Sequence, residues 1–211
     1  MTRLALFGAG GHGKVVADAA LAAGWSEVAF FDDAWPRLNV NGHWPVVGSF
    51  DALVQQVHLF DGVHVSIGNC AVRWQRFQAL RTARAELVTI VHPHACVSRF
   101  ASIGMGSAVM AGAVINVDAV IGEACIVNTG ASVDHDCRLG SSVHVCPGAH
   151  LSGNVTVGAR SWVGVGSVVR QGVSIGADTM LGAGAVVVKP VGDRLTVVGC
   201  PAAPLRDNLS G

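Results

Sequence analysis

Branched aliphatic residues recur every six positions through the middle of the chain. The period is unbroken at sixteen positions, which are Val97, Ile103, Val109, Ile115, Ile121, Val127, Val133, Leu139, Val145, Leu151, Val157, Val163, Val169, Ile175, Leu181 and Val187. This hexapeptide period is typical of a β-helix, in which each short strand points one aliphatic side chain inward. Three hexads make one triangular coil, so the pattern predicts roughly five coils with no insertion loop.

Glycine directly follows the aliphatic residue in seven of the hexads. These glycines are Gly104, Gly122, Gly140, Gly158, Gly164, Gly176 and Gly182. We expect them, together with small polar residues, to help the chain turn between strands.

Before the repeat, the pattern is that of alternating strands and helices. LALFG predicts a buried strand, KVVADAALAAG a helix and EVAFFDD a second strand that ends in Asp32 and Asp33. PVVGSFDALVQQ predicts a turn and a helix, VHVSIGN a third strand and AVRWQRFQALRTARAEL a helix. This alternation predicts a small parallel sheet. The expected fold is an α/β Rossmann-like half domain at 1–92, a β-helix at 93–190 and a C-terminal extension at 191–211.

Composition and charge exclude several classes of protein. With 51% hydrophobic and 13% charged residues the chain can bury a core, and disorder is not expected. Fourteen basic residues balance fourteen acidic ones, which removes the general case for nucleic acid or an anionic membrane as a partner. No apolar run approaches the ~18 residues of a membrane span, and glycines interrupt the first apolar stretch before a signal peptide could form. A cytoplasmic location is expected.

The six cysteines include no C-x-x-C pair and no spacing typical of a zinc site. We therefore expect structural thiols and no metal. Cys137 falls on a small inward position of its hexad, which favours a role in the core over one as an acyl carrier.

A glycine-rich loop joins the first predicted strand to the first helix. Gly8-x-Gly10-x-x-Gly13 matches the dinucleotide fingerprint, and Asp32 lies where an acidic side chain could bind ribose. A nicotinamide enzyme is one alternative, but about 92 residues suffice for only one mononucleotide half. A nucleotide diphosphate ligand suits this half domain better. Lys14 and Arg73 are phosphate candidates by charge, and a solvated helix face is equally compatible with Arg73.

Polar residues stand out within the repeat between 128 and 154. His135 lies 18 residues before Gly153, so the two should stack about 4.8 Å apart, with a base beside a backbone that has no side chain. His144 is half a coil from His135, so the two could meet only across a subunit interface. Asp136 lies past the predicted corner, from where it can curl back to the imidazole more easily than Asp134. His150 is expected on the surface.

Four strings of the sequence are typical of one family: GAGGHGKVV, FFDD, SIGN with Arg73 four residues later, and VVGCPAAPL. They resemble the NeuD/PglD group of hexapeptide-repeat acetyltransferases. Members acetylate nucleotide-linked amino sugars or sialic acid. The resemblance covers nearly the whole chain. It implies a left-handed parallel β-helix, acetyl-CoA as cosubstrate, and a homotrimer with active sites at subunit boundaries.

The same resemblance implies roles for individual residues. Contacts to the nucleotide and its sugar fall on Gly10, Gly11, His12, Asp32, Asp33, Gly68 and Asn69, and a site role falls on Asn128. His12 could instead be a loop histidine that caps the helix. The family's histidine run matches His135 as general base and Asp136 as its orienting carboxylate, with Gly153 as a backbone donor to the thioester oxygen. Acetyl-CoA contacts fall on His144, Val165 and Ala183, and by charge and position we add Lys189 for the 3′-phosphate of CoA.

The leading hypothesis is N-acetylation of a UDP-linked 4-amino-4,6-dideoxy sugar for glycan precursor synthesis. A GDP-linked amino sugar and O-acetylation of sialic acid fit the same family. From other classes, a nicotinamide oxidoreductase and a non-catalytic sugar-nucleotide-binding partner remain open.

Overall fold

The computed structural model describes residues 2–205 and begins with an α/β domain. Its strands are β1 (Arg3–Phe7), β2 (Glu27–Phe31), β3 (Val40–Asn41), β4 (Trp44–Gly48) and β5 (Gly62–Val65). They form one sheet in the order β3-β4-β2-β1-β5, parallel except for the β3–β4 pair. The helices are α1 (Gly11–Ala22), α2 (Phe50–Gln56) and α3 (Cys70–Thr82), with a 3₁₀ turn at Val57–Leu59.

The predicted turn at PVVG is wrong, because these residues belong to β4. Val46 and Gly48 are buried while Pro45 and Val47 face outward, so the segment has the period of two expected of a strand. The proline is tolerated because it lies near the start of β4, before the pairing of β4 with β2 begins at Val46.

The second domain is a parallel β-helix with three faces. The first face contains Ile90–Val91, Ala108–Val109, Ile126–Val127, His144–Val145, Trp162–Val163, Met180–Leu181 and Thr196–Val198, with an antiparallel partner at Ala203–Pro204. The second face contains Cys96–Val97, Val114–Ile115, Ser132–Val133, His150–Leu151, Val168–Val169 and Val186–Val187. The third face contains Ser102–Ile103, Val120–Ile121, Arg138–Leu139, Thr156–Val157 and Ser174–Ile175.

The β-helix extends beyond the range 93–190 expected for it. Ile90–Val91 already pairs with the first face, and Thr196–Val198 continues that face at the other end. The part of the extension at 206–211 lies outside the described residues. No helix within residues 2–205 is long and apolar enough to cross a bilayer.

Three edges join the faces, and we number each edge after the face that precedes it. At each of the fourteen turns between residues 104 and 186 one residue has left-handed backbone geometry, with φ between +52° and +71°. These residues recur every six positions: Gly106, Gly112, Asp118, Ala124, Gly130, Asp136, Ser142, Gly148, Asn154, Arg160, Gly166, Gly172, Asp178 and Gly184. The turn therefore falls three residues after the inward aliphatic side chain, and half of these positions are not glycine.

The glycines that directly follow an aliphatic residue serve close packing between coils. A Cβ on Gly122 would lie 2.7 Å from the carbonyl carbon of Gly140, and one on Gly104 would lie 2.5 Å from that of Gly122. The expectation that these glycines turn the corner is corrected, because their backbone φ is not in the left-handed region. Five of them allow the third edge to stack tightly, and the other two, Gly164 and Gly182, lie on the first edge.

The α/β domain packs on the first face of its own chain. Apolar residues of α1 form a buried cluster with the outward-pointing Ile90, Ala108 and Ile126 of that face. On the other side of the contact, α3 lies against the third edge, where the Cys70 carbonyl accepts a hydrogen bond from Ser142 Oγ at 2.7 Å. This placement leaves the second edge on the far side of the prism.

Close packing at the third edge gives a stability prediction. Gly122→Ala should lower the free energy of unfolding by about 1–3 kcal/mol, because backbone atoms of the next coil cannot move aside as a flexible side chain would. Gly112→Asn is the matched control. It places a side chain on left-handed backbone with only ordinary contacts near 3.8 Å, a geometry that asparagine adopts readily. Urea unfolding measures both, and equal losses would contradict the packing role.

Candidate active site

His135 and Gly153 lie one above the other on the second edge, as their spacing predicts. The Asn154 N–H donates to the His135 carbonyl at 2.8 Å, which fixes the two coils in register. The imidazole covers Gly153 so closely that a Cβ there would overlap the ring. Only glycine is therefore compatible with this position of His135.

Asp136 is the carboxylate that faces the His135 ring. Its left-handed backbone, with φ of +60°, turns the chain so that Oδ2 accepts from His135 Nδ1 at 2.8 Å. Asp134 points elsewhere, because its Oδ1 accepts from the His135 N–H and from Asn116 Nδ2, each at 2.8 Å. The bond to Asp136 raises the pKa of His135 above its ordinary value, and Nε2 is the ring nitrogen nearest to Gly153.

A cavity of about 310 Å³ opens at the carboxyl ends of β1, β2 and β5. Its lining residues are Gly8, Gly10, Gly11, His12, Asp32, Ser66, Ile67 and Gly68. Gly10 is the N-cap of α1, so unpaired N–H groups of the first turn lie beside this cavity. Such a helix N-terminus favours anionic groups, phosphate above all.

Asp32 shapes the glycine-rich loop of this cavity. Its Oδ2 accepts from the Ala9 N–H at 2.8 Å and its Oδ1 from the Ala34 N–H at 2.9 Å. The carboxylate thus holds the loop in place while it also lines the cavity.

A second cavity, of about 480 Å³, lies between the start of α3 and the upper part of the first face. It is lined by Gly68, Asn69, Cys70, Ala71, Arg160, Trp162, Asp178, Thr179 and Met180. Gly68 is common to both cavities. Sequence reasoning missed this one, although Trp162 is 18 residues beyond His144 and so was placed by the same register, one coil above it.

His144 joins the two domains beneath the cavities. Its Nδ1 lies 3.2 Å from the Gly68 carbonyl and its Nε2 lies 3.1 Å from Asn128 Nδ2. Because a carbonyl can only accept, Nδ1 carries the proton and Nε2 accepts from the amide. Burial, with the nearby Arg73 charge, lowers the pKa of His144 to about 3, so the ring is neutral at physiological pH.

His12 lies in the first turn of α1, with its ring 5.9 Å from that of His144. It does not cap the helix, and its buried Nε2 has no hydrogen-bond partner within residues 2–205. Burial is also the main cause that lowers the pKa of His12 to about 4. The neutral His12 ring lines the smaller cavity.

Comparison with known proteins shows which family has this combination of domains. Residues 3–80 match the family model described as the PglD N-terminal domain. A UDP-N-acetylbacillosamine N-acetyltransferase from Bacillus subtilis (strain 168) is 38% identical over 114 residues, and the chain spans about half of that relative, 52% of its length. The acetyltransferase domain of PglB from Neisseria gonorrhoeae, solved with acetyl coenzyme A, is 43% identical, with 96% of this chain and 98% of that chain covered and a TM-score of 0.92. The chain belongs to the NeuD/PglD-type sugar acetyltransferase family.

A second solved relative in the family contains both CoA and a nucleotide-linked sugar. A mutant perosamine N-acetyltransferase from Caulobacter crescentus, in complex with CoA and GDP-perosamine, is 40% identical over 98% of each chain, with a TM-score of 0.93. The combination of a Rossmann-like domain and a β-helix is thus confirmed along nearly the whole chain.

Three residues that family membership suggested as ligand contacts are engaged within the protein. Asp33 accepts from the Phe50 N–H and from Arg76, so it ties β2 to α2 and α3 and does not line either cavity. The Asn69 side chain caps α3 by accepting from the Val72 N–H at 3.0 Å, although the residue lines the larger cavity. Both ring nitrogens of His144 are bonded inside the chain, so the ring as placed offers neither to acetyl-CoA.

The expectations for the basic residues have mixed outcomes. Arg73 is completely buried and is neither on a solvated helix face nor open to phosphate, because the third edge covers it. Lys14 is exposed on α1, outside the lining of both cavities. Lys189 is exposed at the end of the last complete coil, and His150 is exposed as expected.

Val165 and Ala183 lie above one another on the first edge, and both are exposed. The Gly184 N–H donates to the Val165 carbonyl at 2.8 Å, which sets this register. The left-handed position of this edge is glycine in all five coils: Gly112, Gly130, Gly148, Gly166 and Gly184. The first edge therefore presents bare backbone to a ligand.

Proposed function

We propose that the protein transfers the acetyl group of acetyl-CoA to the amino group of a nucleotide-linked amino sugar. The observation that carries this proposal is the His135–Asp136 pair beside Gly153. The other domain of the same chain has a cavity at a helix N-terminus, which favours a phosphate group. Both solved relatives hold acetyl-CoA or CoA, and one of them also holds an amino-sugar nucleotide. As the specific acceptor we propose a UDP-linked 4-amino-4,6-dideoxy sugar.

The α/β domain binds the nucleotide. Its diphosphate lies against Gly10 and Gly11, where the N–H groups of α1 and the helix dipole stabilise negative charge. Asp32 contacts the ribose end, and the neutral His12 contacts the sugar phosphate end. Asn128, whose amide is oriented by His144, faces the sugar.

His135 is the general base of the reaction. Its Nε2 takes a proton from the sugar amine as the amine nitrogen bonds to the thioester carbonyl carbon, while Asp136 holds the Nδ1 proton and stabilises the imidazolium. The carbonyl oxygen becomes an oxyanion that accepts from the Gly153 N–H. The C–S bond then breaks, and the proton returns through His135 to the departing thiolate of CoA. No covalent intermediate on the enzyme is needed.

Acetyl-CoA lies along the first edge. The bare glycine backbone there allows the extended pantetheine arm to approach, and the peptide groups of Val165 and Ala183 hydrogen-bond to it. Lys189 follows Val186–Val187 and so lies on the second edge, from where it binds the 3′-phosphate of a CoA on the first edge of the neighbouring subunit.

The site is completed by a second subunit. The nucleotide cavity lies over the first face, whereas His135 lies on the opposite edge of the same prism, so one chain cannot bring its own base to its own sugar. A homotrimer with closed symmetry, in which the first edge of one subunit meets the second edge of the next, satisfies both requirements.

The acceptor is tested by a direct assay. UDP-, GDP- and CMP-linked amino sugars are each incubated with acetyl-CoA, and the release of free thiol is measured. We expect the UDP-linked 4-amino sugar to be the best acceptor. A GDP-linked sugar is the second candidate, because a relative 40% identical is solved with GDP-perosamine. Absence of thiol release with all three would contradict the proposed function.

The base is tested by pH profiles of three variants. His135→Ala should lower kcat by at least about 100-fold with a modest change in KM, as expected when proton transfer is lost. Asp136→Asn should cost less and move the acidic limb of kcat/KM to lower pH, because the bond to Asp136 raises the pKa of His135 and its removal lets the ring lose its proton earlier. Asp134→Asn, the control, should shift the limb less. A normal kcat for His135→Ala at every pH would disprove the mechanism.

The shared site is tested with mixed assemblies. His12→Ala and His135→Ala chains, each nearly inactive alone, are denatured together in equal amounts and refolded. If base and nucleotide domain come from different subunits, about a quarter of the sites in random trimers combine two intact halves, and activity should recover to that level. Mixed assemblies that remain inactive would place both histidines in one chain.

A further inference from the structure

The guanidinium of Arg73 lies at the junction of the two domains. Nε donates to the Ala124 carbonyl at 2.7 Å, and Nη1 donates to the carbonyls of Ile67 and Gly68 at 2.8 and 2.7 Å. Nη2 donates to the Ser142 carbonyl at 2.9 Å. One side chain thus binds the third edge of the β-helix on one side and the loop after β5 on the other.

This buried cation has no carboxylate partner in the part of the chain that the structure describes. Burial lowers the pKa of Arg73, yet an arginine keeps its proton inside proteins. Backbone carbonyl dipoles solvate the charge without cancelling it. A buried charge without a counterion is costly, so a partner supplied by a ligand would gain from its presence.

The charge lies directly behind the wall of both cavities. Gly68 lines each of them, and its carbonyl accepts from Arg73 and also from His144. The positive charge contributes to the lowered pKa of His12, His64 and His144, the histidines that surround this loop. Its field therefore reaches the place where a diphosphate would bind.

We propose that Arg73 is a positioning residue of the sugar-nucleotide site, which fixes the Ile67–Gly68 carbonyls on the β-helix and provides the diphosphate of the substrate with its buried counter-charge. This inference rests on the proposed function, because it needs a nucleotide ligand. It differs from a direct phosphate contact, since every guanidinium nitrogen already donates to the protein. Arg73 thereby couples the loop that holds the nucleotide to the His144–Asn128 pair.

The test compares charged and uncharged ligands of the same base. Dissociation constants of UDP and uridine, and of GDP and guanosine, are measured calorimetrically for the wild-type protein, Arg73→Lys and Arg73→Met. We expect Arg73→Met to weaken binding of the preferred diphosphate by about tenfold or more, and that of its nucleoside much less. Arg73→Lys, which keeps the charge but not the fork of donors, should fall between wild type and Arg73→Met.

Ser142→Ala is the matched control. It removes the hydrogen bond from Ser142 Oγ to the Cys70 carbonyl across the same contact but keeps the Ser142 carbonyl that Arg73 binds. It should lower Tm and leave the dissociation constant of the diphosphate unchanged. In steady-state assays the Arg73 variants should raise KM for the sugar nucleotide and not KM for acetyl-CoA, a split that a general loss of stability would not produce.

Each failure has its own signature. If folded Arg73 variants bind the diphosphate as wild type does, or lose diphosphate and nucleoside affinity equally, the inference is wrong and the proposed function stands. If the wild-type protein binds neither UDP nor GDP, the inference fails because it has no diphosphate ligand, and thiol release with the CMP-linked sugar decides the proposed function. If both variants fail to fold, the Nε–H resonance of Arg73 in the wild-type protein decides: it should shift on saturation with diphosphate and not with nucleoside, and an unchanged resonance overturns the inference.

Discussion

Backbone hydrogen bonding between strands whose paired residues lie 18 positions apart is the constraint on which the rest of this structure depends. It places His135 below Gly153 and Val165 below Ala183 on the edges, and His144 below Trp162 on the first face, so the register determines which residues stack. The inward aliphatic residues hold the coils together, and the left-handed residue of each hexad turns them. A side chain at any edge position is therefore fixed in height and direction by its place in the repeat.

The α/β domain uses this rigid surface as a support. Helix α1 covers the lower first face with apolar side chains. Helix α3 meets the third edge through Phe77, which packs on Gly106 and Ala124, and through the polar groups Arg73, the Cys70 carbonyl and Ser142. The apolar contacts stabilise the docking of the two domains. The hydrogen bonds to backbone carbonyls fix its orientation, because they have defined geometry. The loop after β5 is thus held against the β-helix, and the two cavities share Gly68 of that loop.

The stacking of residues from coil to coil could be predicted from the sequence, because the six-residue period determines which residues lie above one another. The stacking of His135 on Gly153 and the choice of Asp136 over Asp134 both follow from counting residues. Contacts between the two domains could not be predicted from the sequence. Nothing local marks Arg73 as buried or His144 as bonded to Gly68, since these depend on how two separately folding patterns dock. Asp33 and Asn69 carry side chains that suit a ligand equally well, and only the neighbouring N–H groups of Phe50 and Val72 decide their use.

The β-helix also fixes distances along its own axis. Adjacent coils are about 4.8 Å apart, so a residue moved to the same position of the next coil changes its height by that amount. In the assembly proposed above, the distance from the sugar-nucleotide cavity to His135 therefore depends on which coil carries the histidine.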